Sequence, residues 1–296
     1  MQRLQDKKGE LTMPKKLLIL NADDFGMCSS YNEAVFHLLE ENKISSSTLM
    51  PVTPGCEEAV VWCQKKKIRC IGLHTTLTSE WKNLRWRSLT HMPSLEDEQG
   101  FLYPTVKEFL SHAAAEDIVK ELEAQFALFA ATGIFFSHVD NHMGSIYPSP
   151  DGSHVGYLPY VYELCARYGR LPFRMYRKAL YEDTYEISSE PVRKDILLAD
   201  RLEIPLIDRL YSFHFAPKEG EDYSSFKKEV LDLVHTVPEG ISELYFHPSM
   251  DTPEVREICP SWQRRVWEFR LLFDEDFTYA LKDARITLIP YPRKEA

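Results

Sequence analysis

No apolar run in the 296-residue chain approaches the roughly 18–20 residues a bilayer-spanning helix needs. The opening stretch, MQRLQDKKGELTMPKK, is polar and lacks the apolar centre of a secretion signal. It reads as a disordered leader over residues 1–15, and Met13 serves as well as Met1 for a start. A basic excess is also missing. Lys and Arg total 35 against 45 Asp and Glu, a formal charge of −10, which argues against a nucleic-acid backbone as partner. There is no C-x-x-C pair and no compact cysteine framework. Six scattered cysteines suit reduced thiols in a cytoplasmic protein.

Short apolar runs alternate with helical patterns almost from end to end. Residues 16–21 (KLLILN) form a run with no polar alternation, the mark of a strand buried on both faces. Further strands are predicted at 46–51, 68–77, 134–140, 172–176, 210–215, 243–247 and 286–290. Helices are predicted at 31–42, 57–64, 117–131, 159–168, 225–235 and 261–272. This alternation favours a parallel sheet with crossover helices. No repeat or linker divides the chain, so residues 16–296 are expected to form one irregular (β/α) barrel of seven or eight parallel strands. A doubly wound open sheet is the alternative. The stretch 79–104 breaks the pattern: rich in Trp, Arg, Pro and charge and without a period, it reads as a functional insertion.

In parallel α/β architectures, chemistry sits at the carboxyl ends of the strands. Here polar, metal-type residues recur at those ends. Asn21-Ala22-Asp23-Asp24-Phe25-Gly26 follows the first strand, and of its adjacent carboxylates one suits a metal and the other a base facing substrate. Alone, the segment reads as a turn and a helix cap. His74 closes the third strand in Gly72-Leu73-His74. In Ser137-His138-Val139-Asp140-Asn141-His142, the period of two puts His138, Asp140 and His142 on one face. His247 stands before Pro248 at another strand end, and His214 is a weaker case. One such strand end means little; several in one sheet favour a metal hydrolase, with one carboxylate and two histidines leaving room for water and substrate.

NADDFG, GLH, HVDNH and the late FHP together resemble the YdjC-like carbohydrate deacetylases, over about residues 16–291. The resemblance implies a barrel related to polysaccharide deacetylases and removal of acetyl groups from chitooligosaccharides such as diacetylchitobiose or its 6-phosphate. It implies a divalent ion, Mg²⁺ or Zn²⁺, on Asp24, His74 and His142, with Asp23 as base and His247 as acid. His138 and Asp140 would orient ligands or substrate. Many family members carry more histidines after the HxDxH motif, where this chain has Met143-Gly144-Ser145.

Arg174 and Arg177, near a strand end, suit a sugar phosphate or hydroxyls as well as plain surface solvation. Trp81 and Trp86 fit either a sugar-stacking lid or packing. A homodimer stays open. The rivals are a glycosidase using Asp23 or Asp24 with Asp140, and an inactive sugar-binding protein.

Overall fold

A computed structural model describes residues 15–148, 154, 156–180 and 189–293; all but the last residue of the expected leader over 1–15 lies outside them. The strands are β1 (Lys16–Phe25), β2 (Ser46–Leu49), β3 (Ile71–Thr75), β4 (Phe136–Asn141), β5 (Phe173–Tyr176), β6 (Leu206–Ile207), β7 (Arg209–Tyr211), β8 (Gly240–Phe246) and β9 (Ile286–Leu288). They form one sheet in the order β6-β5-β4-β3-β2-β1-β8-β7, with β9 added alongside β1. Every pairing between these strands is parallel.

The two ends of that order meet. β6 pairs with β5, β7 pairs with β8, and only Asp208 separates β6 from β7. The run 206–211 is therefore a shared stave that closes the sheet into an irregular seven-stave barrel: β1, β2, β3, β4, β5, this run and β8. The Asp208 amide donates to Ile241 O at 2.7 Å, and its carbonyl accepts from the Lys178 amide at 3.2 Å, tying the stave to both sides. Strand β9 pairs with the first three residues of β1, below the site end.

Alternation along β1 sorts its residues between two environments. Leu18, Leu20 and Ala22 join the large core between sheet and helices, while Ile19 packs with Ile207 and Tyr291 in a separate small cluster. Asn21 and Asp23 follow Ile19 at the same spacing, so the apolar plug gives way to polar groups toward the strand ends. The helices Ser29–Glu40, Cys56–Lys66, Ala115–Ala131, Leu158–Arg167, Tyr223–Thr236 and Trp262–Phe273 answer the predicted ones within a few residues. Unforeseen are Val106–His112, Ser189–Arg201, Pro253–Ile258 and Glu275–Asp283, which are short or rich in charge. No described helix is long and apolar enough to cross a membrane, and all six cysteines are unpaired.

The stretch 79–104 is packed down rather than hinged. Trp81, Trp86, Leu95 and Leu102 are buried in the main core. Trp86 Nε1 donates to Thr78 O at 2.8 Å, and Arg85 reaches Asp97 and Leu102 O at 2.9 and 2.7 Å. Of the two readings of Trp81 and Trp86, packing is the one observed.

Candidate active site

The motif NADDFG works through backbone geometry. In a regular strand Asp23 and Asp24 would face opposite sides, but Asp24 adopts a left-handed conformation, φ 63°. That twist lets neighbouring carboxylates serve one site. Gly26, at φ 91°, completes the turn where a side chain would collide with Leu49 at 2.8 Å.

Asp24 is fully buried between two imidazoles. Its Oδ1 lies 3.4 Å from His74 Nε2 and 3.2 Å from His142 Nδ1. Neither contact is aligned as a hydrogen bond, and both carboxylate oxygens lack a hydrogen-bonding partner. The carboxylate is held by ion-pair contacts alone, which a bound cation could replace. One ligand atom from each of Asp24, His74 and His142 falls within 4.8 Å of the others. The orphaned carboxylate and the converging nitrogens fit a divalent cation.

The far side of each imidazole is held by a carboxylate, the arrangement that fixes ring orientation at metal sites. His74 Nδ1 meets Asp140 Oδ1 at 2.6 Å, and His142 Nε2 meets Glu80 Oε2 at 2.9 Å. Burial opposes a positive charge on both rings, yet Asp140 raises the His74 pKa to about 9 and Glu80 that of His142 to about 10. For Asp24, burial is outweighed by contacts from His142 and His74, which hold it well below the usual carboxylate range. Both rings are thus protonated at neutral pH, and a cation must displace those protons. Metal uptake at pH 7 is expected to release about two protons per ion, and fewer as pH rises through 9 to 10. Calorimetry in buffers of different ionisation enthalpy reads the number directly; no release would mean the ion binds elsewhere.

Asp23 faces a different partner. Arg174 grips it with two bonds, Nη1 to Oδ2 at 2.6 Å and Nη2 to Oδ1 at 2.7 Å, and Asn21 Nδ2 adds a third at 2.7 Å. Burial raises the Asp23 pKa, Arg174 more than offsets it, and the net shift is downward. The guanidinium also lies 2.8 Å from Asp140 Oδ2 and 2.7 Å from Glu243 Oε1, with its Nε on Glu243 at 2.9 Å. Of the readings open for Arg174, plain surface solvation is not what is seen: it lines the cleft and shares its donors among three buried carboxylates. Arg177 pairs with Asp200 at 2.7 Å and does not line the cleft.

His138 keeps further from the cleft. It shares the inward face with Asp140 but sits one layer lower. Its ring stacks on Tyr291 at 3.8 Å, and Nδ1 meets Ser137 Oγ at 2.7 Å. Gly72 makes room, since a Cβ there would stand 2.5 Å from that ring. Tyr291 in turn donates to Glu243, so His138 supports the floor and does not line the cleft.

Above this floor opens a cleft of about 600 Å³, lined by Asp23, His74, His142, Arg174 and His247 together with aromatic and aliphatic groups. The His247 amide donates to Glu268 Oε2 at 2.7 Å. Burial and then Arg265 push its imidazole pKa down to about 3, so it is neutral at rest. Glu80, Glu243 and Tyr291 were missed by motif reasoning. Glu80 lies in the aperiodic insertion, Glu243 reads as part of an apolar strand, and Tyr291 sits in the tail.

Barrel and site together define an α/β barrel protein with a buried Asp–His–His group able to hold a metal ion at the strand ends. The chain belongs to the YdjC-like family: the model of that family, described as YdjC-like protein, matches residues 17–283. It is 32% identical over 274 residues to a carbohydrate deacetylase of Geobacillus stearothermophilus, spanning 92% of this chain and 96% of that one. A chitooligosaccharide deacetylase of Yersinia pestis (strain Pestoides F) is 32% identical over 169 residues, 55% of this chain and 60% of that protein. Among solved structures, an Enterococcus faecalis V583 protein provisionally described as a cellobiose-phosphate cleavage protein superposes with a TM-score of 0.72. It is 22% identical and spans 94% of this chain and 98% of its own, a likeness of fold.

Proposed function

We propose that the protein hydrolyses the acetamide of an N-acetylated sugar of the chitooligosaccharide type, with Asp24, His74 and His142 holding one divalent ion. The observation that carries this reading is the buried Asp24 carboxylate, without a hydrogen bond and converging with two carboxylate-backed histidines. The names of the relatives at 32% identity supply the substrate class. An ion held there supplies Lewis acidity, polarising a carbonyl and lowering the pKa of water.

The chain's own groups do the rest. Asp23, kept ionised by Arg174, accepts the proton as water attacks the acetyl carbon. His247 lines the same cleft and protonates the departing amine. Because His247 is neutral at rest, it takes its proton from solvent in the substrate complex, where negative charge gathering on the former carbonyl oxygen raises its proton affinity. Asp23 returns the proton it accepted to solvent once the amine has left. Asp140 and Glu80 orient the two ligand rings. As a glycosidase acid, Asp140 would need solvent or substrate contact, yet it is fully buried and paired with His74 and Arg174.

Acetate release from diacetylchitobiose, with added divalent metal and after chelation, tests the reading. Metal-dependent acetate is expected. Cleavage between the sugars without acetate, insensitive to chelation, would return the site to the glycosidase reading.

A further inference from the structure

Resting on that reading of the site, we infer that Phe215 is a platform on which a ring of the sugar stacks, held beside the proposed acid His247 by Arg265. Among the described residues two aromatic side chains are exposed, Phe215 and Tyr279, and of the two Phe215 lines the cleft. A lone apolar side chain left in water needs no explanation. This one is built in place. Arg265, fully buried on the helix Trp262–Phe273, puts its guanidinium 3.6 Å from the centre of the Phe215 ring. Its Nη2 also donates to the Phe215 carbonyl at 3.0 Å. One side chain thus grips ring and backbone together, and a ring already fixed has little freedom to lose when a ligand arrives.

The same arginine ties the platform to the chemistry. Its Nη1 lies 3.2 Å from Glu268 Oε2, the oxygen that accepts the His247 amide at 2.7 Å. Its carbonyl accepts from the Ser249 amide at 3.2 Å. One turn of helix therefore fixes the loops after β7 and β8 as a unit. The Phe215 ring meets the His247 imidazole at 5.1 Å and 73°, nearly perpendicular. In the proposed reaction His247 protonates an amine that stays on the sugar, so an apolar ring beside it adjoins the sugar, while the acetyl oxygen turns to the ion. A sugar ring carries C–H groups on its faces, which the negative face of a phenyl attracts, and hydroxyls around its edge. Ser212 and His214, both exposed, line the cleft just before Phe215 and suit those hydroxyls. Asn141 lines it too, with its amide already bonded to Thr75 and Ile146.

Stacking of this kind is made before and during the reaction alike, so its loss raises KM and leaves kcat in place. On the metal-loaded enzyme with diacetylchitobiose, Phe215→Ala is expected to raise KM about tenfold. Phe215→Leu, apolar but not flat, should recover little of that loss, and Phe215→Tyr should recover most of it. Equilibrium binding of the same sugar to the metal-loaded Asp23→Asn protein, with and without Phe215→Ala, reads the contact free of turnover. Binding about tenfold weaker is expected there. A fall in kcat at unchanged KM would make Phe215 a prop for His247 and overturn the inference. Full recovery by leucine, or no binding of the sugar at all, would overturn it as well. Acetate released by Phe215→Ala with KM and binding unaltered would remove the platform and leave the deacetylase reading standing. Weaker binding in Phe215→Ala, with no acetate from wild type, would keep the platform and remove the proposed reaction.

Discussion

Asp23→Asn is expected to lower turnover by about 10²–10⁴-fold while the metal stays bound. The substitution keeps the shape of the side chain and removes its capacity to accept a proton. Arg174 loses one of three carboxylates but remains anchored by Asp140 and Glu243, so the floor of the site should hold its form. Held below the usual carboxylate range, Asp23 is ionised throughout the neutral region and always ready to accept. Its weakness as a base is offset by the acidity a divalent ion confers on water. The measurement is kcat together with metal content. It also separates two ligand sets, because Asp23, His74 and Asp140 likewise offer ligand atoms within 4.8 Å of one another. Loss of metal along with activity would make Asp23 a ligand and cancel its role as base.

The second large effect is expected at Asp24. Asp24→Asn preserves volume but removes the charge between His74 and His142. Loss of a carboxylate that merely orients a metal ligand costs 10–100-fold in affinity, so loss of a ligand should exceed about 100-fold. Turnover should fall with occupancy and recover in part at high metal concentration. Calorimetric metal titration, with circular dichroism as a check on folding, reads both. Unchanged metal affinity would place the ion elsewhere. His74→Ala should behave alike, with an added cost from Asp140 left without its imidazole.

Much of this arrangement was legible because it depends on local rules. Residues 16–21 announced β1, and Asp24, His74, Asp140 and His142 stood at strand ends where chemistry is expected. The structure brings them together. What escaped depends on contacts distant in sequence. Glu80 reaches His142 across 62 positions, and Arg174 reaches Asp23 across 151. No periodicity encodes such pairs. For the same reason Arg174 stayed open between sugar phosphate, hydroxyls and solvent: its type was visible and its three partners were not. The period of two correctly grouped His138 with Asp140 on the inward face, but it carries no information on depth, and one layer separates floor from site. The barrel was expected, but its closing stave was read at 210–215, since β6 and β7 are two and three residues long and act as one stave only through partners on opposite sides.

The most direct test of the central claim is to locate the ion by anomalous scattering from crystals grown with zinc or manganese, with stoichiometry measured on the same preparation. One ion per chain is expected, ligated by the Asp24 carboxylate, His74 Nε2 and His142 Nδ1, with Asp140 and Glu80 still on the opposite ring nitrogens. An ion bound instead by Asp23 and Asp140, or none in a preparation that still releases acetate, would contradict the account.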